Sequence, residues 1–260
     1  MMGNRDIDLL RCLSLSKSIR DSGSGKNIAF LSFDNLNTYK YKTIIDNLDI
    51  SIIETTSPID LSKITNEYYI DQISDISWDF IKLVPWSLTA YESIIFMDTD
   101  MLVLQNIDHL FDLDYDFIYT DGRISPLNSG LFVLRPNLTT LYGLQQFVYN
   151  AYFNIYDGWY KMGRVKKHYA IEVCQGILYY FFVKSQAYRT QYIPRQIYNN
   201  MSPQCYDSVS EDQIKVVHFT SWKKPPILQS EIKHDFQKKI HNLWNQNIID
   251  LGLSNWCINN

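Results

Sequence analysis

SIIFMDTDMLVL, residues 93–104, sets two carboxylates, Asp98 and Asp100, between an apolar run of strand character and a second apolar run. Ionised groups in so apolar a stretch are costly to desolvate unless a cation or several donors compensate them. At the end of a buried strand their oxygens would face a crevice, which suits a hard divalent ion. Backbone donors at a turn are the alternative reading. The triplet alone says little, because the chain holds four Asp-x-Asp triplets and the others, Asp6/Asp8, Asp112/Asp114 and Asp114/Asp116, lie in polar surroundings.

Outward from this stretch, short runs rich in Ile, Val and Phe alternate with segments of helical period. Strands are expected over 27–33, 50–53, 93–98, 117–120, 130–134 and 214–219. Helices are expected over 7–18, 39–47, 78–90, 138–152, 172–182 and 231–247. In the 78–90 helix, Phe80, Ile81, Val84 and Leu88 share one stripe and Lys82 lies off it. This alternation predicts an α/β layered fold with a mixed, largely parallel sheet flanked by helices, one domain over residues 1–260. In such sheets ligands bind beyond the carboxyl ends of the strands. A dinucleotide site would show G-x-G-x-x-G after a strand, but Gly23/Gly25 precede one, and no P-loop occurs. A second candidate is IKVVHFTSWKKPP, residues 214–226, where His218 ends an apolar run and Lys223 and Lys224 follow. A lone histidine on a strand is commonly a satisfied core residue; beside lysines, it suits a metal-held diphosphate.

Composition narrows the classes. The 24 basic and 28 acidic side chains leave a net charge of −4, without the basic bias of nucleic-acid binders, so no nucleic-acid partner is expected. No apolar run reaches the ~20 residues of a membrane span. MMGNRDIDLLRCL carries charges where a signal peptide needs its apolar core. The four cysteines, at 12, 174, 205 and 257, form no CxxC pair, which speaks for reduced thiols. The expected location is cytoplasmic, a host cell's cytoplasm if a large DNA virus encodes the chain.

Residues 82–111, KLVPWSLTAYESIIFMDTDMLVLQNIDHLF, resemble the core motif of glycosyltransferase family 8, glycogenin-like members in particular. LNSGLFVLRPN at 127–137, QGILYYFF at 175–182 and KVVHFTSWKKP at 215–225 resemble the family's later motifs in the same order, across about 140 residues. The resemblance implies a GT-A fold, a UDP-sugar donor (UDP-glucose or UDP-galactose) and a divalent cation, usually manganese, with a hexose passed to a hydroxyl acceptor with retention. It implies Asp98, Asp100 and His218 as metal ligands. Lys224, Thr99 and Ser221 fall beside the donor's diphosphate, and Lys82, Asn128, Ser129 and Gln175 around its sugar. Family relatives are often dimers, so a homodimer is in view.

Two departures stand out. The family's first strand, with its T-N-x-x-Y segment at the uracil, has no counterpart, since NIAFLSF matches the second strand. Cys174 replaces the aspartate of the D-Q-G motif, and Glu172 is the nearby acid that could reach in. They raise an alternative, a weak or inactive nucleotide-sugar-binding partner subunit. Tyr206 follows Tyr198 of an I-Y-N segment by eight residues, the spacing of a self-glycosylated tyrosine. The basic stretch 161–168 is read as a solvated loop, with a lid over the nucleotide as the other reading.

Overall fold

The computed structural model describes residues 5–33, 38–150, 152–154, 156–163, 173–201, 209–221, 224–226 and 232–258. Helix α1, Arg5–Asp21, opens with Asp6 and Asp8 in its first turn and ends with Arg20, charges that oppose the helix dipole. It leads into β1 (Ile28–Ser32), α2 (Lys42–Asn47), β2 (Ile50–Glu54) and α3 (Glu67–Ile73). A run of 3₁₀ turns, Ser74–Ser87, precedes β3 (Ile94–Met97) and β4 (Met101–Val103). Then come β5 (Phe117–Thr120), β6 (Asn128–Leu134), α4 (Leu138–Asn150), β7 (Phe153–Asn154) and β8 (Gly158–Trp159). The C-terminal part holds α5 (Cys174–Leu178), a π-helical continuation (Tyr179–Lys184), β9 (Thr190–Tyr192), α6 (Arg195–Tyr198), β10 (Val216–His218), α7 (Asp235–Asp250) and α8 (Asn255–Ile258).

The sheet is mixed, as expected, but its balance differs from the largely parallel expectation. The parallel pairs among the described residues are β1–β2 and β5–β9. Strand β6 runs antiparallel to both β3 and β5, β4 pairs antiparallel with β10, and β7 with β8. The reason is connection length. Residues 121–127 join β5 to β6, too short for the dozen or so residues of a parallel crossover. The strands form the order β3-β6-β5-β9 with three two-stranded units, β1-β2, β4-β10 and β7-β8.

Two of the expected helices take other forms. The segment expected as an α-helix over 78–90 is the 3₁₀ run, which contains Pro85. Proline lacks an N–H and disfavours α geometry in the residue before it. The tighter winding of about three residues per turn stacks Asp79, Lys82 and Pro85, and Lys82 is buried, not off the core-facing stripe. The segment expected over 172–182 begins as α5 and widens into the π-helical stretch.

One core cluster packs Trp86 of the 3₁₀ run between Phe132 of β6 (ring centroids 5.7 Å) and Phe182 (5.3 Å), with Phe117 4.5 Å from Phe182. These rings lock the 3₁₀ run and the α5–π segment onto β6. A second cluster joins α1, β1, β2, β10 and α7 through Leu10, Leu13, Phe30, Val217, Phe219 and Trp244. A third, with Met101, Leu131, Val133 and Val216, lies between β4–β10 and the main sheet. A cleft of about 860 Å³ separates β1 from β3 and runs down to Asp98 and Asp100. No helix among the described residues is long and apolar enough to cross a membrane.

Candidate active site

The strand expected to end at Asp98 ends one residue earlier, at Met97, because two sheets meet there. The Asp98 N–H still donates to the Gly130 carbonyl (2.8 Å), one residue past β3. The chain bends through Thr99 and resumes as β4, whose Met101 pairs with His218, the last residue of β10. The Phe219 N–H donates to the Asp100 carbonyl at 2.9 Å, fixing the two segments across the bend. One carboxylate therefore hangs from the end of one sheet and the other from the start of the next, with the imidazole opposite. Ligand atoms of Asp98, Asp100 and His218 all lie within 4.8 Å of one another.

A hydrogen-bond chain orients the imidazole. Asn199 Nδ2 donates to Thr120 Oγ1 (2.7 Å) and Asn128 Oδ1 (2.9 Å), which leaves Asn199 Oδ1 to accept from His218 Nδ1–H at 2.9 Å. Nε2 is thereby turned on Asp100 Oδ1 (3.3 Å) and Asp98 Oδ2 (3.9 Å), where it either donates a proton to Asp100 or offers a lone pair to a cation. Asn128 Oδ1 also accepts from the Gly130 N–H, its Nδ2 donates to Gln175 Oε1 (3.3 Å), and Gln175 Nε2 donates to Ser125 Oγ (3.2 Å). Gly130 is required by space: a Cβ there would stand 2.3 Å from His218 Cε1 and 2.8 Å from Nδ1.

Around the triad the charges are balanced. Lys82 Nζ touches Asp79 Oδ1 (3.2 Å) and Asp98 Oδ1 (3.1 Å), and donates to Ser129 Oγ (3.0 Å). Burial opposes its charge, yet the two carboxylates outweigh that and hold its pKa well above the ordinary lysine value. Lys224 stands 2.7 Å from Asp100 Oδ2, and the loop that carries it is tied to α1 by Arg11 Nε donating to the Pro225 carbonyl (2.9 Å). Burial also opposes ionisation of Asp100, but the His218 hydrogen bond and the neighbouring positive charges keep it well below the usual carboxylate range. Asp98 moves the other way: burial, with the charge of Asp100, outweighs Lys82 and raises it. Two carboxylates and an imidazole nitrogen gathered this closely fit a divalent oxygen- and nitrogen-bound cation.

Of the residues singled out from sequence, the structure gathers Asp98, Asp100, His218, Lys224, Lys82, Asn128, Ser129 and Gln175, and Thr99 lines the same cleft. Ser221 ends a 3₁₀ turn just after β10. Glu172 and Tyr206 lie outside the described residues, as do 164–168 of the basic stretch. Cys174 is buried, and burial raises its thiol well above the ordinary value, so a carboxylate's role is closed to it. Sequence reasoning missed Asp79, Asn199, Thr120 and Ser125. Only Asp79 had a readable signal, an acid three residues before a lysine, which a 3₁₀ winding brings together.

A family model described as nucleotide-diphospho-sugar transferase matches residues 38–243. The UDP-glucuronate:xylan alpha-glucuronosyltransferase 1 of Arabidopsis thaliana is 30% identical over 165 residues, 60% of this chain and 23% of that protein. Glycogenin-1 of Caenorhabditis elegans is 30% identical over 148 residues, 56% of this chain and 33% of the relative. The matched stretches thus span a third or less of these relatives' own length. The galactosyltransferase LgtC, solved with donor and acceptor sugar analogues, superposes with a TM-score of 0.54 at 16% identity, covering 93% of each chain, a likeness of fold. With a family match over most of its length, the chain belongs to the nucleotide-diphospho-sugar transferases, and its motif order and its similarity to glycogenins support a glycogenin-like, family 8 type of that group.

Proposed function

We propose that the chain is a metal-dependent, retaining hexosyltransferase that moves a hexose from a UDP-sugar to a hydroxyl acceptor. The observation that carries this reading is the convergence of Asp98, Asp100 and His218 with Lys82 and Lys224, the carboxylates and both lysines lining one cleft. Asp98, Asp100 and His218 would hold the divalent cation, manganese in the first instance, which supplies positive charge beside the diphosphate. Lys224, at the mouth of the site, has an ammonium free to exchange Asp100 for a phosphate oxygen as negative charge develops on the leaving UDP. Transfer breaks the bond from the anomeric carbon to the phosphate oxygen and forms one to the acceptor oxygen, whose proton the departing diphosphate oxygen takes up. Asn128, Ser129 and Gln175, already held in one hydrogen-bond network, would line the sugar. Trp78, exposed along the same cleft, offers a face on which uracil can stack.

Cys174 favours a second reading, a subunit of the same fold that binds donor without turnover. Both readings require cation-dependent UDP binding. Calorimetry should show UDP binding with manganese and its loss with chelator or in Asp100→Ala; UDP binding equally well without cation would contradict both. The donor sugar is left to assay with UDP-glucose, UDP-galactose and UDP-glucuronate, the last because relatives carry that donor in their names. Self-glycosylation at Tyr206 belongs to the first reading and would be read as a mass increase that Tyr206→Phe abolishes.

A further inference from the structure

We infer that Asp79 is a positioning residue of the transfer site: its carboxylate pairs with Lys82 and anchors the start of the helix that carries Gln175, leaving the charge of Asp98 available to the cation. The inference rests on the hexosyltransferase reading above. Asp79 is 7% exposed and lies in the 3₁₀ run, one turn before Lys82. Its Oδ1 is 3.2 Å from Lys82 Nζ, and its Oδ2 accepts from the Cys174 N–H at 3.1 Å. The Cys174 thiol donates to the Asp79 carbonyl oxygen, also at 3.1 Å. Val173, which precedes α5, makes no side-chain capping bond. The cap therefore comes from another element, and it fixes the residue next to Gln175.

Charge accounts for the rest. Lys82 is a buried cation shared between Asp79 and Asp98. Its ammonium lies 3.1 and 3.2 Å from the two oxygens of Asp98 and 3.2 Å from Asp79, so one positive charge is shared between two carboxylates, and with Asp100 the cluster presents a net charge of about −2 to a divalent ion. With Asp79 neutral, Lys82 would rest on Asp98 alone and cancel one of those charges. Partners behind metal ligands commonly change metal affinity or activity about 10–100-fold when removed. Cys174 holds Asp79 through both its N–H and its thiol and lies within electrostatic reach of Lys82, so an acid placed there acts on the same lysine.

The test uses Asp79→Asn, in which the amide oxygen can still accept from the Cys174 N–H, so charge is removed with little change of shape. Expected is a loss of manganese affinity, read by calorimetry with UDP present, of about 10–100-fold, with turnover falling in parallel. In the double variant Asp79→Asn/Cys174→Asp a carboxylate returns beside Lys82, and most of the manganese affinity should return. Asp79→Asn with manganese affinity and turnover within twofold of the parent overturns the inference. So does a double variant no better than the single one, whether folded or not. If Asp79→Asn alone fails to fold, the double variant decides by the same readouts. Failure of the unaltered protein to bind UDP with manganese would count against the hexosyltransferase reading instead, so the two outcomes are distinguishable.

Discussion

A glycine decides where the histidine can stand. Gly130 leaves room for the His218 ring, and a methyl group there would sit 2.3 Å from Cε1. The β5 register breaks beside Gly130, between Tyr119 and Thr120, so an added Cβ displaces the imidazole or the backbone, and either movement opens the triad. Gly130→Ala is expected to fold and to bind UDP with manganese about 10–100-fold more weakly. Unchanged binding, measured by the same calorimetry, would show that His218 does not need this position. At this scale the sequence was informative where the signal was chemical incongruity: carboxylates amid SIIFM and MLVL, and a histidine closing KVVHF. It was silent on Asn199, Thr120 and Ser125, ordinary polar residues whose part comes from meeting across β5, β6, α5 and α6. Asp79 was overlooked because the segment was read for its apolar stripe, although an acid three residues before a lysine is a neighbouring pair in either winding.

Among elements, the 3₁₀ run carries the most. It brings Lys82 to the site on one side and buries Trp86 in the aromatic stack on the other, so packing of the indole fixes the reach of the ammonium. Trp86→Ala should cost about 3–5 kcal/mol of stability, read by denaturant unfolding. Trp86→Phe should cost much less, because the indole N–H finds no hydrogen-bond partner among the described residues and its loss removes a buried unpaired donor. Equal losses in the two variants would contradict this account of the stack. Apolar runs of four or more residues were legible from composition: β1, β2, β3, β5 and β6 fall where the sequence places them, and the three-residue β10 lies inside the longer apolar run 214–219. The three-residue β4 and β9 were not, being too short for a period to show. Direction was misjudged because alternation with helices suggests parallel strands, while the short 121–127 connection, readable in hindsight, requires an antiparallel neighbour.

Over the whole molecule, the site exists because two bodies of structure are clasped at the Asp98–Asp100 bend. The main sheet supplies Asp98 and the Asn128–Gly130 segment; β4 and β10 supply Asp100 and His218. Helix α1 holds the second body in place: Ser18 Oγ accepts from the Val103 N–H (3.0 Å), Asn247 Nδ2 donates to the Ser14 carbonyl (3.2 Å), and Arg11 reaches the loop of Lys224. The cleft between β1 and β3 opens onto this junction. An overall charge of −4 offers a diphosphate no general attraction, so on the proposed reading binding comes from Lys224 and the cation, the charge of Lys82 being taken up by Asp79 and Asp98. That dependence is the account's central claim. The most direct measurement is release of UDP from UDP-glucose, UDP-galactose and UDP-glucuronate, with manganese and then with excess chelator, in the parent chain and in Asp100→Ala. The account predicts release from one donor that chelator abolishes and that Asp100→Ala lowers by at least about 10²-fold. Release that persists undiminished in chelator, or in Asp100→Ala, would contradict it.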